Sequence, residues 1–300
     1  MFAKAALSAL LLFMAVAVAA PPPPAHWTDG YVLTNGIRMH YWRAAAPGKV
    51  PLVLAHGSSD DGLCWTNLAK ELEGAYDIIM IDARGHGLSD PPKPGDPTDV
   101  QADDLAGLIR ELKLDRPIVM GHSMGSYAAA AFAAKYPDVP RAVVLEDPNL
   151  ANRPMTPPPG APADPESRRA ATLKRNNLTE ADLVAECMKG TPKWGRNECE
   201  IWAPSKRRHH PDTALGRGVG ARTPMSELFT KITVPTLILK AEAQGEVRQQ
   251  NEKTTAILKH GQIVHIDGAG HNVRRDEKQR TLDVLKPFLK KVPAASSPTD

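Results

Sequence analysis

Cysteine is scarce. Only Cys64, Cys187 and Cys199 occur in 300 residues, which excludes a disulfide scaffold, and their spacing forms no paired C-x-x-C metal motif. Aromatic residues make up 5% of the chain, and neither sign of charge is in excess: 37 Lys and Arg stand against 34 Asp and Glu, a net +3. Such a balance lacks the positive field that nucleic acid or an anionic membrane surface recruits, so neither is expected as a partner. Beyond the first twenty residues no apolar run reaches the about 20 residues that a membrane span needs, so no membrane anchor is expected either. Stability must come from a buried core, and 42% hydrophobic residues over this length fit one catalytic-sized domain with a subdomain.

The first segment lies apart from that core. Lys4 precedes an apolar run over 5–18, and Ala17, Ala19 and Ala20 are small, a secretory-signal pattern. Residues 1–19 are expected to be cleaved on export to the periplasm or beyond, after Ala19, because residues 21–24 are all proline. That leaves an extended Pro-rich leader over 20–30; a buried N-terminal helix is the alternative. Export would permit a Cys187–Cys199 disulfide, whose formation the sequence leaves open. Cys64, alone in an apolar context, is expected to be a small buried core residue.

Apolar and β-branched runs at 37–42, 52–56, 78–82, 118–122, 142–147, 236–241 and 263–267 read as strands. Helix-period stretches at 63–72, 100–112, 124–135, 247–258 and 275–289 alternate with them. This order predicts an α/β fold, a mostly parallel central sheet with helices on both faces. One interruption, 149–231, opens with Pro154, Pro157, Pro158, Pro159, Pro162 and Pro165, which break regular structure. Helical pieces follow at 170–173 and 180–188. The interruption reads as an inserted helical cap, with core segments 31–148 and 232–292 around it and a frayed tail over 293–300.

The sharpest chemical signal is Gly121-His122-Ser123-Met124-Gly125. This G-x-S-x-G follows a strand and opens a helix, the context in which a nucleophilic serine is held on a tight turn. The flanking glycines leave room for that turn, and the helix N-terminus, including the Met124 N–H, faces any developing oxyanion.

From about residue 31 to 289 the chain resembles the α/β-hydrolase superfamily, in its cap-bearing serine hydrolase branch. His56-Gly57-Ser58, with Trp65 downstream, resembles the family's loop after the third strand. The resemblance implies a second oxyanion donor at the Ser58 N–H and a substrate contact at Trp65. The stretch from Asp82 to Ser89 resembles the family's structural turn, so His86 is read as a turn residue. Gly268-Ala269-Gly270-His271-Asn272 resembles the loop that carries the family's base, which implies that role for His271. His209 and His210 read as solvated surface.

The acid departs from the common pattern. Many relatives place an Asp in the loop after the strand that follows the cap, where this chain has Gln244. Another branch supplies it at the end of the strand after the nucleophile helix, and Asp147 stands there. Asp147 is the expected acid, with Glu146, Glu242 and Glu246 as alternatives. Whichever serves would orient the imidazole and stabilise the imidazolium. A serine nucleophile argues against the aspartate chemistry of haloalkane dehalogenases and epoxide hydrolases.

The expectation is therefore a secreted serine hydrolase of small-molecule esters or lactones, working through an acyl-enzyme on Ser123 with no metal or organic cofactor. C–C bond hydrolase, aminopeptidase and perhydrolase chemistry on the same triad are alternatives, as is a non-catalytic binding protein on the same scaffold. The cap carries Arg168, Arg169, Lys174, Arg175, Lys206, Arg207 and Arg208 with Trp194 and Trp202. A solubilising surface is the expected reading of these charges, and an anionic or aromatic substrate the other. Oligomeric state is not legible.

Overall fold

A two-residue turn, Asn35-Gly36, joins the first two strands, β1 (Thr28–Thr34) and β2 (Ile37–Ala44). Both turn residues have positive φ, 45° and 75°, the geometry that matches the twist of an antiparallel hairpin. The computed structural model describes residues 20–151, 164–214 and 221–292. The expected signal segment 1–19, the tail 293–300 and Pro154, Pro157, Pro158, Pro159 and Pro162 lie outside the described residues.

After the hairpin the chain alternates. β3 (Pro51–Ala55), a short 3-10 turn (Gly62–Trp65), α1 (Thr66–Leu72) and β4 (Asp77–Ile81) are followed by α2 (Val100–Glu111), β5 (Ile118–His122), α3 (Met124–Lys135) and β6 (Ala142–Glu146). The insertion carries α4 (Pro165–Asn176), α5 (Glu180–Gly190), α6 (Gly195–Arg207), a 3-10 turn (Pro211–Ala214) and α7 (Met225–Phe229). β7 (Thr236–Ala241), α8 (Gly245–Thr255), β8 (Gly261–Ile266), α9 (Val273–Asp276) and α10 (Lys278–Lys291) complete the fold.

The eight strands form one sheet in the order β1-β2-β4-β3-β5-β6-β7-β8. β2 pairs antiparallel with β1 and β4, and every other pairing is parallel. Strands β4, β5 and β6 are buried at every position, which is why they read as continuous apolar runs. Alternate residues serve opposite faces. Val53, Ile79, Val119 and Val143 pack with Leu105, Leu108, Phe132 and Phe229 of α2, α3 and α7. Leu54, Met80, Met120 and Val144 pack with Leu68, Leu282 and Leu285 of α1 and α10.

The insertion has a small core of its own. Leu183, Val184 and Ala203 surround a Cys187–Cys199 disulfide that ties α5 to α6. Cys64 is free and buried. Among the elements that were not expected are β1 and α6. β1 escaped because it lies on the sheet edge with most residues outside the core, so no apolar run marks it. α6 escaped because Pro204 lies inside it and two of its buried positions, Glu198 and Lys206, are charged.

Candidate active site

Ser123 sits between β5 and α3 with φ 51° and ψ −108°, a strained backbone for a residue with a side chain. The turn is possible because its flanks are bare. A Cβ on Gly121 would lie 2.0 Å from the Gly125 carbonyl oxygen, and one on Gly125 would lie 2.2 Å from that of Ala55.

His271 arrives from the loop after β8. That loop is anchored at three points: the Gly268 N–H donates to Glu242, the Gly270 N–H donates to Asp276, and His122 Nε2 donates to the His271 carbonyl at 2.9 Å. The imidazole Nε2 then lies 2.9 Å from Ser123 Oγ, and Nδ1 lies 2.6 Å from Asp147 Oδ2. A carboxylate only accepts, so the proton is assigned to Nδ1 and Nε2 is left to receive the serine proton.

Asp147 follows β6 at φ 44°. Its N–H donates to the Leu239 carbonyl, and its Oδ1 accepts from the Ala241 N–H and the Lys240 ammonium. The other candidate acids lie elsewhere. Glu146 is fully buried in an ion pair with Arg274 at 2.8 Å, Glu242 holds the Gly268 N–H, and Glu246 stands exposed in the first turn of α8. Gln244 precedes that helix as its N-cap residue.

The electrostatics follow from these contacts. The hydrogen bond to Asp147 raises His271 above the usual histidine value, with burial opposing. Burial pushes Asp147 upward but is outweighed by His271 and Lys240, leaving its carboxyl below the usual value. Desolvation drives buried His122 down to about 4, so it is neutral.

The loops expected to supply the oxyanion donors both border Ser123. Met124 opens α3, where N–H groups lack helical partners, and a Cβ on Gly57, next to Ser58, would stand 3.5 Å from Ser123 Cβ. Trp65 requires a correction. It is 0% exposed in the core under the Arg274 guanidinium, 3.7 Å from the ring centroid, so its side chain has no surface to offer a substrate. Its apolar bulk fills the layer beneath α9 instead.

The reading of the cap charges as surface needs correction at Lys206, which faces inward, and in part at Arg208. Lys206 is 2% exposed and donates to the Ser59 carbonyl and hydroxyl and to Asp60. Asp60 is also paired with Arg275, which in turn pairs with Glu198 of α6. Arg208 pairs with Asp61, Arg169 with Asp212 and Arg175 with Glu186. His209 is half-buried and stacked on His86 at 4.7 Å between centroids, and desolvation brings it down to about 4. His86 is buried in its turn, with Nδ1 against the Arg84 carbonyl. Sequence reading missed Lys240, Lys206, Asp60 and Arg275, because a partner more than 90 residues away leaves no local pattern; an apolar strand ending in lysine at 240 was the one available hint. Among the described residues, no group of three or more His, Cys, Asp or Glu side chains is placed to hold a metal ion.

A sequence model of the alpha/beta hydrolase family matches residues 52–284. The chain belongs to that family. Among curated relatives, this hydrolase is 43% identical over 254 residues to a 2-(acetamidomethylene)succinate hydrolase of Mesorhizobium japonicum, covering 81% of this chain and 89% of the relative. It is 26% identical over 278 residues to a bifunctional esterase/perhydrolase of Acinetobacter calcoaceticus, covering 87% and 99%. The N-formylmaleamic acid deformylase structure from Pseudomonas putida S16 superposes with a TM-score of 0.71 at 22% identity, over 86% of this chain and all of that one, a likeness of fold.

Proposed function

We propose that this hydrolase is a serine hydrolase that opens a carboxylic acyl bond in a small molecule through an acyl-enzyme on Ser123. The observation that carries the reading is the continuous relay from Ser123 Oγ through His271 to Asp147, with contacts of 2.9 and 2.6 Å. His271 takes the Ser123 proton as the oxygen attacks the carbonyl, and the N–H groups of Ser58 and Met124 receive the oxyanion. His271 returns the proton to the leaving group, then activates water against the acyl-enzyme.

An ester or lactone asks least of this machinery, because its alkoxide leaves with little assistance; the esterase named among the relatives supports that choice. An N-acyl bond is the second reading, supported by the acetamido compound in the name of the 43% identical relative. Export is part of the proposal, supported by the signal-like residues 1–19 and by the Cys187–Cys199 disulfide, a bond that persists in oxidising compartments.

The test is intact mass after incubation with a fluorophosphonate, followed by a panel of esters, lactones and N-acyl compounds. One adduct on the wild type and none on Ser123→Ala is expected. A folded wild type that takes no adduct and turns over no member of the panel would point to a binding protein on a hydrolase scaffold.

A further inference from the structure

Asp147 must present one oxygen to His271 from a strand end where the chain turns through positive φ, and its side chain is only 9% exposed. Oδ2 meets the imidazole. Oδ1 is gripped from β7, by the Ala241 N–H at 3.1 Å and by the Lys240 ammonium at 2.5 Å. Lys240 also donates to the Pro148 carbonyl at 2.9 Å, so the same ammonium holds the residue that follows the acid. Its side chain is 15% exposed, and ordering a long lysine there needs compensation from such contacts. The strand that ends beside Gln244, in place of the more familiar acid, thus contributes a cation to the acid borrowed from β6.

We propose that Lys240 is a positioning residue of the triad: from the end of β7 its ammonium clamps Oδ1 of Asp147 so that Oδ2 faces His271. This rests on the serine-hydrolase reading above. The clamp has an electrostatic consequence. The charged groups around the imidazole are Asp147 and Glu146 from β6, Arg274 from α9, which neutralises Glu146, and Lys240 from β7. His122 from β5 stands 4.9 Å away, ring to ring, and is neutral. On the far side of Lys240, its register partner His265 on β8 is bonded to Asn251. Lys240 is therefore the cation that limits how strongly Asp147 stabilises the imidazolium.

Three variants separate clamp from charge. Lys240→Met removes both: kcat is expected to fall about tenfold with KM little changed, and the acid limb of kcat/KM to move up by about one pH unit. Lys240→Gln keeps a neutral donor, so it shifts the limb while retaining more of kcat. Lys240→Arg restores both readouts. A folded Lys240→Met that keeps the wild-type pH limb and kcat within twofold overturns the proposal. NMR titration of the His271 ring in wild type and Lys240→Gln reads the same shift without any substrate. An unchanged His271 titration in the folded variant refutes the proposal, whereas an unlabelled Ser123 refutes the hydrolase reading and leaves that titration to decide on Lys240. Thermal unfolding identifies a variant that fails to fold, and the Lys240→Arg profile then carries the decision: loss of activity without a change in thermal stability sinks the clamp.

Discussion

Ser123 and Asp147 are both held at positive φ, 51° and 44°, so the proposed nucleophile and the proposed acid each occupy a conformation that only the surrounding packing sustains. Adjacent carboxylates at 146 and 147 do opposite jobs. Asp147→Asn is expected to lower kcat by about 10³- to 10⁴-fold, because the amide stabilises the wrong imidazole tautomer, with a smaller loss of thermal stability from the part-exposed Lys240 left without its carboxylate. Glu146→Gln is expected to act on stability instead, by about 3 kcal/mol or more, since it leaves the Arg274 guanidinium buried without its partner; kcat measurements and melting curves on the two variants distinguish them. The base carries a pH signature. His271 must be neutral to accept the serine proton, and its contact with Asp147 raises it above the usual 6.5. Activity should therefore be lost as pH falls through a midpoint above 6.5 and reach a plateau on the alkaline side, as a kcat/KM profile would show.

α6 reaches two loops of the site at once. Lys206 near its C-terminal end holds Ser59, which has φ 61°, and Asp60. Glu198 near its start holds Arg275, four residues past His271. Lys206→Met should reduce both stability and turnover, stability by about 3–5 kcal/mol for a broken buried pair, measured by denaturant unfolding beside esterase assays. The Cys187–Cys199 bond, twelve residues apart, closes α5 onto this helix and is worth about 3 kcal/mol by loop entropy. α3 was legible in full because its Ala-rich run follows the serine turn. α6 was not, because Pro204 lies inside it and its buried charges, Glu198 and Lys206, pair with Arg275 and Asp60, more than 70 residues away.

Across the whole molecule the histidines set the response to acid. His56, His86, His122, His209 and His265 are all lowered by burial, with His122 and His209 at about 4. Unfolding lets each bind a proton between about 6.5 and its folded value, so stability falls as pH drops through that window. Asp61, pushed up to about 6, works in the opposite direction within that window, whereas His40 and His271, which are raised, act only above 6.5. The larger group should prevail: the melting temperature is expected to decline between pH 6.5 and 4, and His209→Phe, which removes one titrating ring from the contact with His86, should flatten that decline. A slope unchanged by the substitution would remove His209 from the account.

Apolar strands alternating with helix-period stretches, and a serine between glycines at a strand end, are local patterns. Backbone sterics and burial act on neighbours in sequence, so the mostly parallel sheet and the tight turn at Ser123 were readable before any coordinates, while the His271 loop was singled out by its resemblance to the family's. Asp147 could be narrowed only to one of four carboxylates, because all four lie near strand ends or a helix start that converge on the same edge. Tertiary structure separates them by direction, which supports Asp147 as the proposed acid: at a φ of 44° Asp147 faces His271, while Glu146 points back to Arg274. It also moved Trp65 from a binding role into the core and turned Lys206 from a surface cation into half of an internal ion pair with Asp60. The physical reason is common to these cases. Charge pairing and side-chain burial depend on which distant residues share a space, and hydrophobic periodicity carries no record of that.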